Sequence, residues 1–278
     1  MIKSFEIQSP TGRHMPAHLI PATGESNRAV VFFHGYKGYK DWGPWNKAGQ
    51  AFAKANLHYL AFNVSHNGGT VENPIDFPDL TAFSNNTYSM ELSDVLAAVS
   101  YFKREAFRKL MHINIEHLTL IGHSRGGGMA VLAAAHSDKI DRLITWAAVS
   151  DYSTRFPDGE ALQRWQEEGV YYVKNGRTGQ QMPHKFSFYT DFQQNRAQLD
   201  IPTLSKKVQQ PALIIHGEED PVVDVQAAHD LAQWIPTSKK LIISDTAHTL
   251  GGSHPWDKQN LPPALEKAVV ASIDFIKQ

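Results

Sequence analysis

The residues with the clearest chemical potential are Gly122-His123-Ser124-Arg125-Gly126, a Gly-x-Ser-x-Gly pattern. At ordinary Gly and Ser frequencies such a pattern arises by chance roughly one time in ten in a chain this long, so its setting decides its meaning. An apolar run at 118–121 leads into it and a small-residue helical stretch at 129–135 leaves it. A sharp strand-to-helix turn there holds Ser124 in a strained conformation, lifts its hydroxyl above a sheet edge and aims the helix N-terminus at it. The flanking glycines remove side chains that would clash in that turn. A serine hydroxyl is a weak nucleophile and needs a base. His248 is best placed, in Asp245-Thr246-Ala247-His248 after the last strand signal. His254 is its competitor, whereas His123 adjoins the serine and should point elsewhere. The base in turn needs an anion to fix its tautomer. Asp220, in His216-Gly217-Glu218-Glu219-Asp220, is the first candidate, with Glu218, Glu219 and Asp224 as rivals. Asp224 also suits the cap of a helix starting near 225. For a developing oxyanion, the expected donors are the backbone N–H groups of Arg125 and Tyr36, the latter in His34-Gly35-Tyr36-Lys37-Gly38. The Arg125 side chain is open to three roles: salt bridge, substrate contact or solvated surface group.

The elements that must position these residues read as alternating strand and helix. Short strands at 4–7 and 14–20 flank a turn at Pro10-Thr11-Gly12. Continuous apolar runs at 29–33 and 59–64 predict strands buried on both faces, with a helix at 46–55 between them. A loop rich in Asn, Gly and Pro covers 65–86, followed by a long predicted helix at 87–110. Further strands are expected at 143–149, 212–216 and 241–244, and helices at 225–234 and 262–276. Residues 151–210 break the rhythm, being polar and aromatic-rich. They read as an inserted lid, with Asn175-Gly176 as a hairpin turn between arms at 170–173 and 178–182 and a helix at 188–199. The reading is therefore an α/β core at 1–150 and 211–278 with a lid at 151–210. Its sheet is mostly parallel and doubly wound, with antiparallel N-terminal strands.

Composition narrows the partners. Lys+Arg is 27 and Asp+Glu is 28 in 278 residues, for a net charge of −1. Such a chain carries no bulk electrostatic footprint for nucleic acid or an anionic membrane. With no cysteine, a thiolate nucleophile, disulfides and thiolate metal sites are excluded. His-Glu-x-x-His, phosphate-loop and dinucleotide motifs do not occur, the acidic run at 218–224 lacks EF-hand spacing, and no metal or cofactor is expected. His14 and His18 share a strand face and read as surface residues. Trp42, Trp45 and His254 are candidate pocket residues, with core packing the alternative for the tryptophans. The first seven residues alternate like a strand and lack a signal-peptide core, which predicts a soluble cytoplasmic protein. Oligomeric state leaves no signature in the sequence.

His34-Gly35 at a strand end, Gly122-His123-Ser124-Arg125-Gly126-Gly127, His216-Gly217-Glu218-Glu219-Asp220 and the late His248 together resemble the α/β-hydrolase superfamily, over nearly the whole chain. Within it the sequence is similar to dienelactone-hydrolase-like and cinnamoyl or feruloyl-esterase-like bacterial serine hydrolases with a small lid. Dienelactone hydrolases proper use a cysteine nucleophile, so the resemblance here implies an ester or related acyl substrate. The expectation is a cofactor-independent serine esterase acting on a small-molecule ester. The alternatives are a serine peptidase or acylaminopeptidase of prolyl-oligopeptidase-like fold, and a catalytically silent ligand-binding fold.

Overall fold

In the computed structural model, which describes residues 2–278 with Met1 outside the described residues, the apolar runs form ten strands. They are β1 (Lys3–Gln8), β2 (His14–Ile20), β3 (Arg28–Phe33), β4 (His58–Phe62), β5 (His117–His123), β6 (Arg142–Trp146), β7 (Val170–Lys174), β8 (Gln181–Lys185), β9 (Ala212–Gly217) and β10 (Ser238–Ile243). Eight form one sheet in the order β1-β2-β4-β3-β5-β6-β9-β10, and β7 and β8 pair separately. The β1–β2 and β2–β4 pairings are antiparallel, while every pairing from β4 to β10 is parallel. Strands β3, β5, β6 and β9 are apolar on both faces because helices cover both.

Two apolar clusters lie on opposite faces. One gathers Val95, Val99, Phe102, Met129, Leu132 and Leu231, from helices Tyr88–Lys103, Arg125–His136 and Gln226–Trp234. The other gathers Trp45, Phe52, Trp146, Leu265, Val269 and Phe275, largely from helices Trp45–Lys54 and Pro263–Lys277. The helix after β3 therefore covers one face and the helix after β5 the other. The chain departs in opposite directions from adjacent strands, which opens a crevice at their C-terminal ends.

Three local readings are corrected. The helix expected at 87–110 divides into Tyr88–Lys103 and Glu105–Met111, because Arg104 is extended; Phe107 turns back to pack on Phe5, Tyr101 and Phe102. The hairpin at Asn175-Gly176 is a six-residue connection, closed by Asn175 N–H to Gln180 O, and its left-handed residue is Gly179. Its second arm thus starts at Gln181 rather than 178. His18 is buried at 1% exposure, because the loop carrying Lys40 and Asp41 lies over it.

Between β6 and β9, residues 151–210 form the hairpin and the helices Gly159–Glu168, Ser187–Gln194, Arg196–Leu199 and Ile201–Leu204. Its later part joins the main core through Phe188, Phe192, Leu199, Ile201, Leu204 and Val208. The β7–β8 hairpin stands outside that core, with Tyr171 and Tyr172 exposed. No helix among the described residues is long and apolar enough to cross a membrane.

Candidate active site

Ser124 sits between β5 and the helix Arg125–His136 with φ 58° and ψ −123°, a backbone that costs a non-glycine residue about 1–3 kcal/mol. Its surroundings hold it there. The Ser124 N–H donates to Trp146 O at 2.9 Å, and its carbonyl accepts from Gly127 N–H at 2.9 Å and Val149 N–H at 3.1 Å. A Cβ on Gly122 would lie 2.1 Å from Gly126 O, and one on Gly126 2.3 Å from His34 O. Only glycine at both positions lets strand, elbow and helix pack this closely.

The serine Oγ lies 2.8 Å from His248 Nε2, and His248 Nδ1 lies 2.7 Å from Asp220 Oδ2. With a carboxylate facing Nδ1, the ring carries its proton there, leaving Nε2 to accept from the serine. Asp220 Oδ1 accepts the backbone N–H groups of Val222 and Val223 at 2.8 and 3.0 Å. Buried His216 points Nε2 at both Val223 O, 2.9 Å away, and Asp220 Oδ2, 3.2 Å away. Burial alone would raise the Asp220 carboxyl, but the donors from His216, His248 and Val223 outweigh it and hold it below the usual carboxylate range. The rivals lie elsewhere: Glu218 and Glu219 are exposed, and Asp224 accepts the Gln226 N–H at the start of its helix.

His254 accepts the Gly43 N–H at 2.8 Å and stacks on Trp42; it braces the tryptophan loop and touches neither Ser124 nor Asp220. His123 points beneath the site, where Nε2 meets His248 O at 3.0 Å and its ring lies 4.9 Å from the His248 ring. Burial, then the neighbouring His248, lowers it to about 3. It is therefore neutral and donates that hydrogen bond.

Neither the Tyr36 nor the Arg125 backbone N–H meets a protein acceptor among the described residues. Gly35 brings the two loops together, since a Cβ there would be 2.8 Å from Ser124 Cβ. The Arg125 side chain is mostly buried and bonds Glu91 at 3.2 Å. Its guanidinium lies 4.2 Å from the Tyr36 ring centre, with Tyr88 and Phe188 at 5.2 and 5.3 Å. Burial favours the neutral form of Glu91 and raises its carboxyl despite that cation. The Tyr36 hydroxyl, pushed up to about 12 by burial, donates to His184 Nε2 on β8 at 2.7 Å. Burial holds His184 at about 3. One tyrosine thus joins the Ser124 rim, Arg125 and the hairpin.

Two clefts meet at Ser124 and His248. The larger, of about 610 Å³, is walled by Tyr152, Arg155, Phe156, Trp165, Tyr171 and Phe188 from residues 151–210, with Tyr36, Lys37 and Arg125. The smaller, of about 250 Å³, is lined by Trp42, Trp45, Asn175 and Arg177. Trp45 is also core, 2% exposed and packed on Phe32 and Trp146. A polar groove of about 1250 Å³ near Gly24, His58 and Glu116 lies at the opposite ends of the strands. No metal-holding group of three His, Asp or Glu side chains occurs among the described residues.

Glu91, His216 and Tyr152, whose hydroxyl donates to Arg125 O at 2.6 Å, carry no motif of their own. The only sequence signal for His216 is its place ahead of Gly217 in the acidic-turn motif.

A mostly parallel sheet with helices on both faces, and a serine elbow at its C-terminal edge, define the α/β-hydrolase fold. The sequence profile of the prolyl oligopeptidase family matches residues 51–250, and the chain belongs to that family. It is 29% identical over 132 residues to the uncharacterized peptidase YtmA of Bacillus subtilis (strain 168), a match covering 46% of each chain. The chain spans less than half the length of the first curated relatives that it matches. Among solved structures, Est1E from Butyrivibrio proteoclasticus with ferulic acid bound has a TM-score of 0.73 at 19% identity, covering 98% of both chains. A hydrolase from Agrobacterium vitis S4 has a TM-score of 0.74 at 17% identity, covering 99% of this chain and 98% of that one. At these identities the likeness is one of fold.

Proposed function

We propose that this protein is a serine hydrolase cleaving a small carboxylic ester through an acyl-enzyme on Ser124. The observation that carries the reading is the unbroken line Asp220–His248–Ser124, with contacts of 2.7 and 2.8 Å, beside two backbone N–H groups without a protein acceptor. His248 Nε2 takes the Ser124 proton as Oγ attacks the ester carbonyl carbon. The carbonyl oxygen becomes an oxyanion held by the Tyr36 and Arg125 N–H groups. Collapse breaks the C–O bond, and His248 gives its proton to the departing alkoxide. Water then gives a proton to His248 and adds to the acyl carbon; the second collapse releases the acid and returns the proton to Ser124. Asp220 stays ionised throughout and stabilises the imidazolium.

Residues 151–210 act in this reading as the lid that sets substrate choice. What supports it is the share of the larger cleft that they wall, including Tyr152, Phe156, Trp165 and Phe188. An aromatic roof suits a partly apolar substrate and excludes water from the oxyanion site.

A peptidase is the second reading, favoured by the family to which the chain belongs. Against it, no carboxylate lines either cleft, so a peptide's free amino terminus would meet cations alone. The test is hydrolysis of aliphatic and aryl esters alongside aminoacyl arylamides, with Ser124→Ala as blank and fluorophosphonate labelling of Ser124 read by mass. Ester turnover with labelling is expected. Arylamide cleavage without ester cleavage would reverse the order, and folded protein that fails to label would favour a silent binder.

A further inference from the structure

The charged side chains that line the two clefts at Ser124 are of one sign. Lys37 and Arg155 line the larger cleft with Arg125, Lys37 and Arg177 line the smaller one, and no Asp or Glu lines either. Since the chain as a whole has a net charge of −1, this is a local concentration. Two of the four cations are paired: Arg125 with Glu91 and Arg177 with Asp76. The other two have no carboxylate partner among the described residues: Lys37 donates to the Lys174 carbonyl at 3.3 Å and sits over the Tyr36 ring at 5.1 Å, and Arg155, which is exposed, donates to the Val222 carbonyl at 3.2 Å. Lys37 is only partly exposed. Burial, then the Arg125 charge, pulls its ammonium below the ordinary lysine range, so a nearby anion would relieve it. The same cleft carries the aromatic walls Phe156, Trp165, Tyr171 and Phe188.

We propose that the preferred substrate is an ester carrying an anionic group, a carboxylate, on the apolar or aromatic portion that fills the larger cleft, where Lys37 and Arg155 receive it. This rests on the ester-hydrolase reading and names its substrate class. Aromatic side walls take the apolar body, and the unpaired cations take the charge. A neutral ester fits the walls but leaves both cations without an anion. An amine-bearing substrate is repelled by them.

The test uses two matched series. In one the acid is on the acyl part: the 4-nitrophenyl monoester of suberic acid against its methyl-capped diester. In the other it is on the alcohol part: 4-carboxyphenyl octanoate against its methyl carboxylate ester. In at least one series the acid should exceed its neutral partner about tenfold in kcat/KM, an ion pair partly shielded from water. That ratio should fall severalfold in Lys37→Met and in Arg155→Met, and on raising the salt from about 10 mM to about 0.5 M. Binding of both compounds to Ser124→Ala, measured by calorimetry, gives the same comparison without turnover. Acid equal to or weaker than neutral in both series, or a preference unmoved by both substitutions, overturns the proposal. If it fails while Ser124 still labels and neutral esters turn over, the ester-hydrolase reading stands. If labelling fails, that reading falls, and calorimetry still decides the charge preference.

Discussion

Gly35→Ala tests whether the distance between the two loops at Ser124 controls the chemistry. The added methyl carbon would lie 2.8 Å from Ser124 Cβ, 3.0 Å from His123 O and 3.3 Å from Ser124 Oγ. Carbon atoms rest at about 3.5–4.0 Å, so the loops must part by roughly 1 Å. Ser124 is pinned from behind by its bonds to Trp146, Gly127 and Val149, and the His34–Gly38 loop has to move. That carries the Tyr36 N–H away from the oxyanion. Losing one such donor costs about 10²–10³ in kcat, and the overpacking costs about 1–3 kcal/mol of stability. The assay is kcat on a neutral aryl ester with thermal unfolding in parallel. Gly176→Ala is the control, as an added Cβ there meets nothing within 4 Å. A folded Gly35→Ala protein with kcat within about threefold of the parent would refute the placement of the oxyanion donor.

Asp220→Asn should leave the fold intact and lower kcat by about 10³–10⁴, because an amide no longer fixes the His248 tautomer or stabilises its cation; a loss under tenfold in steady-state kinetics would contradict this. Acid should destabilise the protein well above the carboxylate range. Burial holds His34 at about 4 and His123 and His184 at about 3, while the same side chains titrate near 6.5 when unfolded. The unfolded chain then binds up to about three more protons near pH 5, so stability rises with pH between about 4 and 6.5, by at most about 4 kcal/mol per unit. Urea midpoints unchanged between pH 7 and 5 would count against it. Arg125→Met should cost about 3–5 kcal/mol by stranding buried Glu91. Adding Glu91→Gln should recover part of that, and chemical denaturation of the single and double variants measures the coupling.

The three residues that the structure brings into one hydrogen-bonded line were legible in the sequence because each stands in a local pattern that has a physical reason. Ser124 is flagged by its glycines, Asp220 by the turn after an apolar strand, and His248 by its place beyond the last strand. What escaped is non-local. His18 alternates like a surface residue on β2, and the groups that cover it, the Lys40–Asp41 loop and the Tyr59 ring, come from later segments of the chain. Arg125 left three roles open because its partners Glu91, Tyr36 and Phe188 come from three separate segments. The break at Arg104 carries no Pro or Gly, and the apolar pattern runs through it. The Asn175-Gly176 dipeptide suggested a turn between arms ending at 173 and resuming at 178, yet the longer connection closes on Gly179 and the second arm starts at Gln181.

The strain at Ser124 connects these observations. A serine at φ 58° relaxes unless its neighbours over-determine its position. Here the Trp146 carbonyl, three N–H donors to its own carbonyl (Gly127, Gly128 and Val149), and the glycines at 35, 122 and 126 hold it in this conformation. The same packing sets the proposed oxyanion donors: the Arg125 N–H follows from the start of the helix, and the Tyr36 N–H from the approach of Gly35. Arg125 adds a second tie, its guanidinium against the Tyr36 ring while its carbonyl accepts from Tyr152. Tyr36 passes that tie to the hairpin through His184. A hairpin that shifts on binding would therefore pull on an oxyanion donor as well as on a cleft wall. Substrate fit and transition-state stabilisation would then share one residue, Tyr36, through its side chain and its backbone N–H, and a substitution in the hairpin would change kcat together with KM.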